Sequence, residues 1–520
     1  MPRVLIKRPQ GLISDSSEYE VPPEAWTDVR NVRFTGLSTQ RVSGEDADVL
    51  GVPTGNPISL AYSESIGNDR WYYATTTELY ETDGTTHTAV TRASGGTYSF
   101  TDDNSTTWSY LAGVLYCNNV SDHPQAFIPG ATKFEDLANW PTSSPTYCKS
   151  FRTYGNACIA LNITENGTNF PTRFKVSSVI EDPATVPTTW DPLSTTSPTL
   201  DSTLSDTDGA IVDGLTLRDA FLIYKEDSVH AIRFTNNIQD PYRVQKVFSD
   251  EGLLALNCVV EYEGKHFCVG VNDIYAHNGS SKASLVSDRI RTRFFEDINS
   301  EHRDRVFTVH NEPKSEIWVF YPDSVSTGPA NKVAIYNYKT DAWSFRDAPG
   351  VSAAALGKAP DINYSYATLP HSSYDDISTT YSRWGNSFGR RTIIGASNSN
   401  SNFYRFDSRN TFNGTNIEAY VERTGLTIVD QPGDEERTKF VSRVYLNIKG
   451  SGTVDVSIGM ENEIGEGINW SNPKTFKIGT DRKVDCRVTG RYFGIRIEST
   501  GSGYWDLSSY GIDYRVLGNR

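Results

Sequence analysis

Tyr72-Tyr73-Ala74, followed by Leu79-Tyr80-Glu81-Thr82-Asp83-Gly84-Thr85, aligns with His266-Phe267-Cys268, followed by Ile274-Tyr275-Ala276-His277-Asn278-Gly279-Ser280. In both, a strand is followed after a short turn by an apolar-Tyr strand that closes in Asp-Gly or Asn-Gly. Those dipeptides supply the positive φ of a tight hairpin turn. Looser copies stand at Leu115–Asn119, Cys158–Gly167, Val229–Asn236, Ala334–Trp343 and Phe403–Asp407. Repetition of a strand, turn, strand unit across residues 56–411 predicts a β-propeller of six or seven irregular blades, an architecture that leaves no long open edge. An array of β-sandwiches with chance likeness among Tyr-rich strands is the competing reading.

Composition agrees with an all-β class. The 520 residues include 28 Tyr, 23 Phe, 10 Trp and 40 Gly but two Met, the mixture of strand and turn formers. Runs with a 3.6-residue apolar period are nearly absent, and the best helix candidate, Arg289–Asn299, is short. Irregular spacing of the repeats implies insertions. The Thr/Pro/Ser-rich stretch Pro183–Ser205 and the Ser/Tyr-rich stretch Asp361–Ser387 read as surface loops.

From Asn416 onward the strands are longer and alternate cleanly: Ile417–Leu426, Lys439–Lys449, Thr453–Gly459, Lys474–Ile478, Lys483–Arg487, Tyr492–Ser499 and Ser509–Leu517. Val441, Val444, Leu446 and Ile448, like Phe493, Ile495 and Ile497, give one packed and one wet face, which predicts a β-sandwich. The expected organisation is therefore residues 1–55 as an N-terminal segment joining a platform, 56–411 as the propeller, and 412–520 as the C-terminal sandwich of that platform.

Formal charge is −15. Such a surface repels a polyanion at long range and lacks the basic footprint of a tight nucleic-acid binder. The excess is uneven: residues 417–520 hold 14 Lys+Arg against 15 Asp+Glu, so nearly all of it lies in residues 1–416. Six cysteines (Cys117, Cys148, Cys158, Cys258, Cys268, Cys486) form no CxxC pair, which points to buried free thiols rather than zinc or a disulfide framework. Val4-Leu5-Ile6 before Lys7 and Arg8 is too short for a signal-peptide core, and no membrane span is expected.

Chemistry-bearing motifs are not found. The chain holds no Gly-x-Ser-x-Gly, His-Glu-x-x-His, phosphate-binding Gly-rich loop or calcium loop, and its eight histidines lack ligand spacing. No catalytic, cofactor or metal residue is assigned, and a non-enzymatic role is expected. Thr101-Asp102-Asp103-Asn104-Ser105-Thr106-Thr107-Trp108 resembles an Asp-box turn of sialidase-type propellers, with Ser105 where that motif carries Gly, but it occurs once. Trp and Tyr also stack on sugar rings, so a carbohydrate-binding or glycan-hydrolysing propeller of a virion or cell surface is the alternative function. Trp71, Trp318 and Trp343 lie in strand-like runs and are expected in the core.

The two ends of the chain carry a family resemblance. Pro22-Pro23-Glu24-Ala25-Trp26-Thr27-Asp28-Val29-Arg30-Asn31-Val32-Arg33-Phe34-Thr35-Gly36, continuing to Arg41-Val42-Ser43-Gly44, resembles the opening of the tail nozzle proteins of short-tailed bacteriophages. That family is also described as packaged-DNA stabilisation protein or tail tubular protein B. Gly490-Arg491-Tyr492-Phe493-Gly494-Ile495-Arg496-Ile497 and Tyr504–Tyr514 are similar to its closing strands, and residues 73–80 to its first blade. The resemblance implies a propeller plus a platform in which both chain ends meet. It further implies a homohexameric ring in the virion tail, assembled in the host bacterial cytoplasm. The ring would sit below a tail adaptor, with a fibre or needle as a further partner, around a channel through which double-stranded DNA passes without sequence-specific binding. The Pro183–Ser205 and Asp361–Ser387 insertions are the candidates for a channel gate.

Overall fold

The structure is a computed structural model. It describes the chain apart from residues 1, 10, 48, 65–68, 102, 142–144, 236, 238–239, 360–390, 429–436, 464, 500 and 518–520. Among the described residues the fold is all-β, with seven blade sheets of a β-propeller and the sheets of a β-sandwich platform.

Six blades are four-stranded meanders, each strand paired with the next. Blade 1 holds Ser59–Ser63, Arg70–Ala74, Leu79–Thr82 and His87–Ala89, and blade 2 holds Thr107–Leu111, Val114–Asn118, Gln125–Phe127 and Glu135–Asp136. Blade 3 holds Thr146–Tyr154, Ala157–Glu165, Thr168–Val176 and Leu200–Thr203, and blade 4 Ile211–Leu217, Ala220–Lys225, Ser228–Phe234 and Tyr242–Ser249. Blade 5 holds Val259–Tyr262, Lys265–Val269, Ile274–His277 and Lys282–Ser284, and blade 6 Phe307–Asn311, Glu316–Tyr321, Ala330–Asn337 and Ala342–Val351. Blade 7 contributes Ala353–Lys358, Arg391–Ser397 and Asn402–Arg409.

The two aligned stretches, Tyr72–Thr85 and His266–Ser280, occupy equivalent places. They are the second and third strands of blades 1 and 5, with Tyr73 opposite Tyr80 and Cys268 opposite Tyr275. Their closing turns are built alike. Asp83 Oδ1 accepts from the N–H groups of Thr85 and Thr86, Asn278 Oδ1 from those of Ser280 and Ser281, and Gly84 and Gly279 take φ of 99° and 87°. The looser copies are out of phase: Leu115–Asn119 and Cys158–Gly167 fall on second strands, whereas the copies in blades 4, 6 and 7 fall on third strands. Any buried Tyr-rich strand followed by a polar turn gives that pattern.

Two compact units divide the chain, and they do not follow chain order: Met1–Glu45, Cys258–Pro349 and Asp407–Arg520 form one, Asp46–Asn257 and Gly350–Phe406 the other. In the second unit each blade seam is an apolar cluster. Trp71 and Tyr73 pack with Ile394 and Phe403 (blades 1 and 7), and Tyr72 and Leu79 with Leu115 and Cys117 (blades 1 and 2). Tyr116 packs with Phe151 and Cys158 (blades 2 and 3), and Leu161 and Phe174 with Phe221 and Ile232 (blades 3 and 4).

The first unit contains blades 5 and 6 and two six-stranded platform sheets. The first platform sheet runs Val32–Phe34, Thr39–Arg41, Trp505–Val516, Lys439–Gly450, Val484–Gly490, with Arg3–Lys7 also paired to Trp505–Val516. The second runs Asp28–Arg30, Ala419–Leu426, Tyr492–Ser499, Thr453–Glu461, Asn469–Trp470, with Lys474–Lys477 also on Thr453–Glu461. Both thus mix strands from residues 3–41 with strands from residues 419–516. Val444 and Leu446, like Ile495 and Ile497, are buried as the alternation requires, and a bulge between Val441 and Arg443 brings Val441 to the same face. The one α-helix among the described residues, Arg291–Asp297, lies where the short candidate was expected.

One reading is corrected. Pro183–Ser205 is not simply a surface loop, because Leu200–Thr203 is the fourth strand of blade 3 and Trp190 is buried edge-on against Trp140 at 4.8 Å. Asp361–Ser387 lies outside the described residues. Trp71, Trp318 and Trp343 are core, and all six cysteines are buried and free.

Candidate functional site

The residues that carry the family resemblance converge in the first unit, where the N-terminal segment meets blade 6 and the platform. Trp26 is buried and stacks on Tyr510 with centroids 5.7 Å apart, and its indole donates to Thr39 Oγ1. Asp28 takes an ion pair from Arg293 at 2.6 Å and a hydrogen bond from the Tyr420 hydroxyl at 2.8 Å. Asn31 sits at φ 54°, a conformation that asparagine tolerates better than most residues. Its amide donates to Asp347 Oδ2 and the Glu418 carbonyl while its oxygen accepts from the Asp347 N–H. Trp505 is fully buried and donates to Ser499 Oγ. Gly494 leaves room for the Trp470 ring, which a Cβ there would approach to 2.8 Å.

At the centre is a closed set of charges. The Arg33 guanidinium pairs with Glu316 at 2.6 Å and with Asp407 at 2.8 Å. Arg346, fully buried, pairs with Glu45 at 2.7 Å and reaches Asp407 at 3.4 Å, and Lys314 pairs with Asp407 at 2.7 Å. Three cations thus face three carboxylates. Trp318 roofs the set, with the Arg33 and Arg346 guanidinium carbons 5.8 and 5.2 Å from its ring, and its indole donates to Glu316 Oε2. Burial would raise the Asp407 carboxyl, but Arg33, Lys314 and Arg346 outweigh it and hold the group below the usual range.

Glu45 behaves oppositely. Burial pushes it up to about 7, and Asp407 and Asp347 add to the rise, against the opposing pull of Arg346. A carboxyl raised in the folded state contributes stability that is complete below its unfolded pKa near 4.5 and is lost as pH rises through about 7. Thermal melts of Glu45→Gln between pH 5 and 8 are therefore expected to show a flatter profile than the parent, and an unchanged slope would contradict the assignment.

Two further arginines hold backbone instead of carboxylates. Arg41 donates to the carbonyls of Ser502, Gly503 and Asn410, and Arg423 to those of Glu18 and Val21. Burial lowers both from the ordinary arginine value. They cross-link residues 18–41 to residues 410–503.

Beside the charge set opens a cleft of about 570 Å³, lined among others by Arg30, Arg293, Asp297, Lys332, Asp347 and Tyr420. Several of its charges are paired: Lys332 and Arg30 both pair with Asp347, at 2.6 and 3.0 Å, and the Tyr321 hydroxyl donates to Asp297. Among the described residues no group of three or more His, Cys, Asp or Glu could hold a metal ion. His266 and His277 face each other in blade 5 with rings 5.6 Å apart, and burial, with His266 beside it, lowers His277 to about 3, so His277 is neutral. In the Asp-box-like stretch Asp102 lies outside the described residues, and Trp108 stands on the first strand of blade 2. The arrangement is suited to fixing the N-terminal segment, blade 6 and the platform rigidly within one unit. The sequence assigned no site residues; Arg33, Glu45, Lys314, Glu316, Arg346 and Asp407 were missed, and their only local signal is a charged residue placed inside or against an apolar strand.

No family model matches the chain, and no curated protein matches it. Among solved structures the chain is similar to the WD40 β-propeller domain of Doa1, at 10% identity and a TM-score of 0.36 over 70% of this chain and 95% of that one. It is similar to the RRP9 WD40 repeats, at 6% identity and 0.39 over 71% and 99%. It also resembles the extracellular domain of a putative one component system, BT4673, from B. thetaiotaomicron, at 12% identity and 0.40 over 90% and 59%.

Proposed function

We propose that this chain is a structural, non-enzymatic subunit of a phage tail nozzle, forming a homohexameric ring that retains packaged DNA and provides the conduit for its ejection. The observation that supports this reading most is the weaving of Arg3–Lys7, Asp28–Arg30, Val32–Phe34 and Thr39–Arg41 into the same two sheets as the strands of residues 419–516. That is the platform of joined chain ends which the resemblance at Trp26–Gly36 and Gly490–Ile497 implies. A ring of head-to-tail contacts closes only when the rotation between neighbours is fixed, and the buried charge set and the arginine cross-links give the platform that rigidity. The acidic charge suits a conduit, since each neutralised phosphate adds affinity and so friction on moving DNA. In this reading the ring belongs to the virion tail and binds a tail adaptor.

Native mass spectrometry tests it. The expected species is six times 57.8 kDa, with no saccharide bound on a glycan array. A persistent monomer that binds or cleaves glycans would overturn it in favour of a carbohydrate-active propeller.

A further inference from the structure

The outer face of the first platform sheet differs in charge from the rest of the molecule. Register places Lys7 beside Ser509, Arg515 beside Phe440, and Lys449 beside Asp506, all on the side opposite buried Val441, Val444 and Ile512. The alternating burial of Val484–Gly490 puts Arg487 on the same side. Lys7, Lys449, Arg487 and Arg515 are exposed and have no ion-pair partner among the described residues. Two more arginines on this face are paired, Arg3 with Asp513 at 2.7 Å and Arg443 with Asp485 at 3.2 Å. Across its middle runs Leu5, Gly511 and Tyr445, with Leu5 51% exposed and Arg3 lying 3.6 Å over the Tyr445 ring. The face is thus basic with an apolar centre, the composition of an interface rather than of a solvated sheet surface.

What it can receive is set by charge. The unit comprising residues 46–257 and 350–406 holds 17 Lys+Arg against 29 Asp+Glu, a net of −12 of the chain's −15. An acidic patch of that unit lies at blade 4, where Asp206, Asp208, Glu226 and Asp227 surround the buried Lys225 ammonium; Asp208 and Glu226 are exposed, while Asp206 is already paired with His230 at 2.9 Å and Lys246 at 3.8 Å. We infer that the outer face of the first platform sheet docks the acidic blade 4 of a second copy of this chain. The contact is heterologous, one patch on each partner being different, which is the kind that builds rings. The inference rests on the ring reading above and specifies its contact.

Charge reversal tests it by mass photometry and sedimentation velocity. K7E/K449E/R487E/R515E alters only exposed side chains, and D208K/E226K reverses the blade 4 patch. Each variant alone is expected to lose at least tenfold in self-association, and wild-type assembly is expected to weaken with added salt. Mixing the two variants restores assembly, because each reversed surface then meets its complement. If both variants assemble like wild type, or the mixture stays dissociated, this contact is wrong while the ring reading stands. If wild type never assembles, the ring reading fails and takes the inference with it. Binding of duplex DNA by wild type that the sheet-face variant loses, with assembly unchanged, identifies the face as a polyanion surface and overturns the inference.

Discussion

Asp407→Ala is expected to lower stability by about 3–5 kcal/mol, the usual cost of leaving a buried charge without its partner. The carboxylate answers three cations: Arg33 at 2.8 Å, Lys314 at 2.7 Å and Arg346 at 3.4 Å. Removing it leaves Arg33, Lys314 and Arg346 without their shared carboxylate, and although Lys314 is partly exposed, Arg346 is fully buried, where water cannot compensate. Backbone adds to the loss, since Asp407 sits at φ 59°, which alanine tolerates poorly. Asp407→Asn separates the two effects, because asparagine accepts that φ and keeps the shape but not the charge. Urea unfolding followed by tryptophan fluorescence should show both variants strongly destabilised, alanine more so. An asparagine variant within about 0.5 kcal/mol of the parent would show that the charge set is not what holds this junction.

A comparable loss, about 3–5 kcal/mol, is expected for Asp213→Ala in the other unit. This carboxylate is inaccessible to solvent and accepts from Ser150 Oγ at 2.7 Å, from Arg152 at 2.7 and 2.9 Å, and from the N–H groups of Gly214 and Asn257 at 2.8 and 3.0 Å. It therefore ties the first strand of blade 3 to the first strand of blade 4 and to Asn257. Burial would raise its pKa, but Arg152, Ser150 and the Gly214 amide outweigh that and hold it below the usual range. The sign is opposite to that of Glu45: the contribution of Asp213 is present above the unfolded carboxylate range and lost as pH falls into acid. Ser150→Ala, which removes one of five bonds, is expected to cost about 1.5–3 kcal/mol. Urea midpoints at pH 7 and pH 4 check both, and an alanine variant at position 213 that costs less than about 1 kcal/mol would contradict the account.

Much of the fold is legible in the chain because strand burial has a two-residue period. Tyr492–Ser499 is found where it was expected, and Lys439–Gly450 within one residue, since Val444 and Leu446 alternate with Arg443 and Tyr445; the bulge between Val441 and Arg443, which the period does not reveal, returns Val441 to the buried side. The turn at Asp83-Gly84 is legible for a local reason, the carboxylate accepting from the amides of Thr85 and Thr86, two and three residues on. Pro183–Ser205 misled because its Thr, Pro and Ser content outweighs two informative residues, Trp190 and Leu200. The charge set was illegible because its members come from five distant places. Arg33 and Asp407 are 374 residues apart, and nothing local tells a buried arginine between Val32 and Phe34 from one on a wet strand. Only the topology, which lays the N-terminal strands beside the C-terminal ones, brings them together.

The claim that this chain builds a nozzle ring is tested most directly by negative-stain electron microscopy of the purified protein at high concentration, alone and with the adaptor. The account predicts sixfold rings with an open lumen, stacking on the adaptor when it is present. Particles that remain single propellers with their platforms at every concentration, adaptor included, would contradict it.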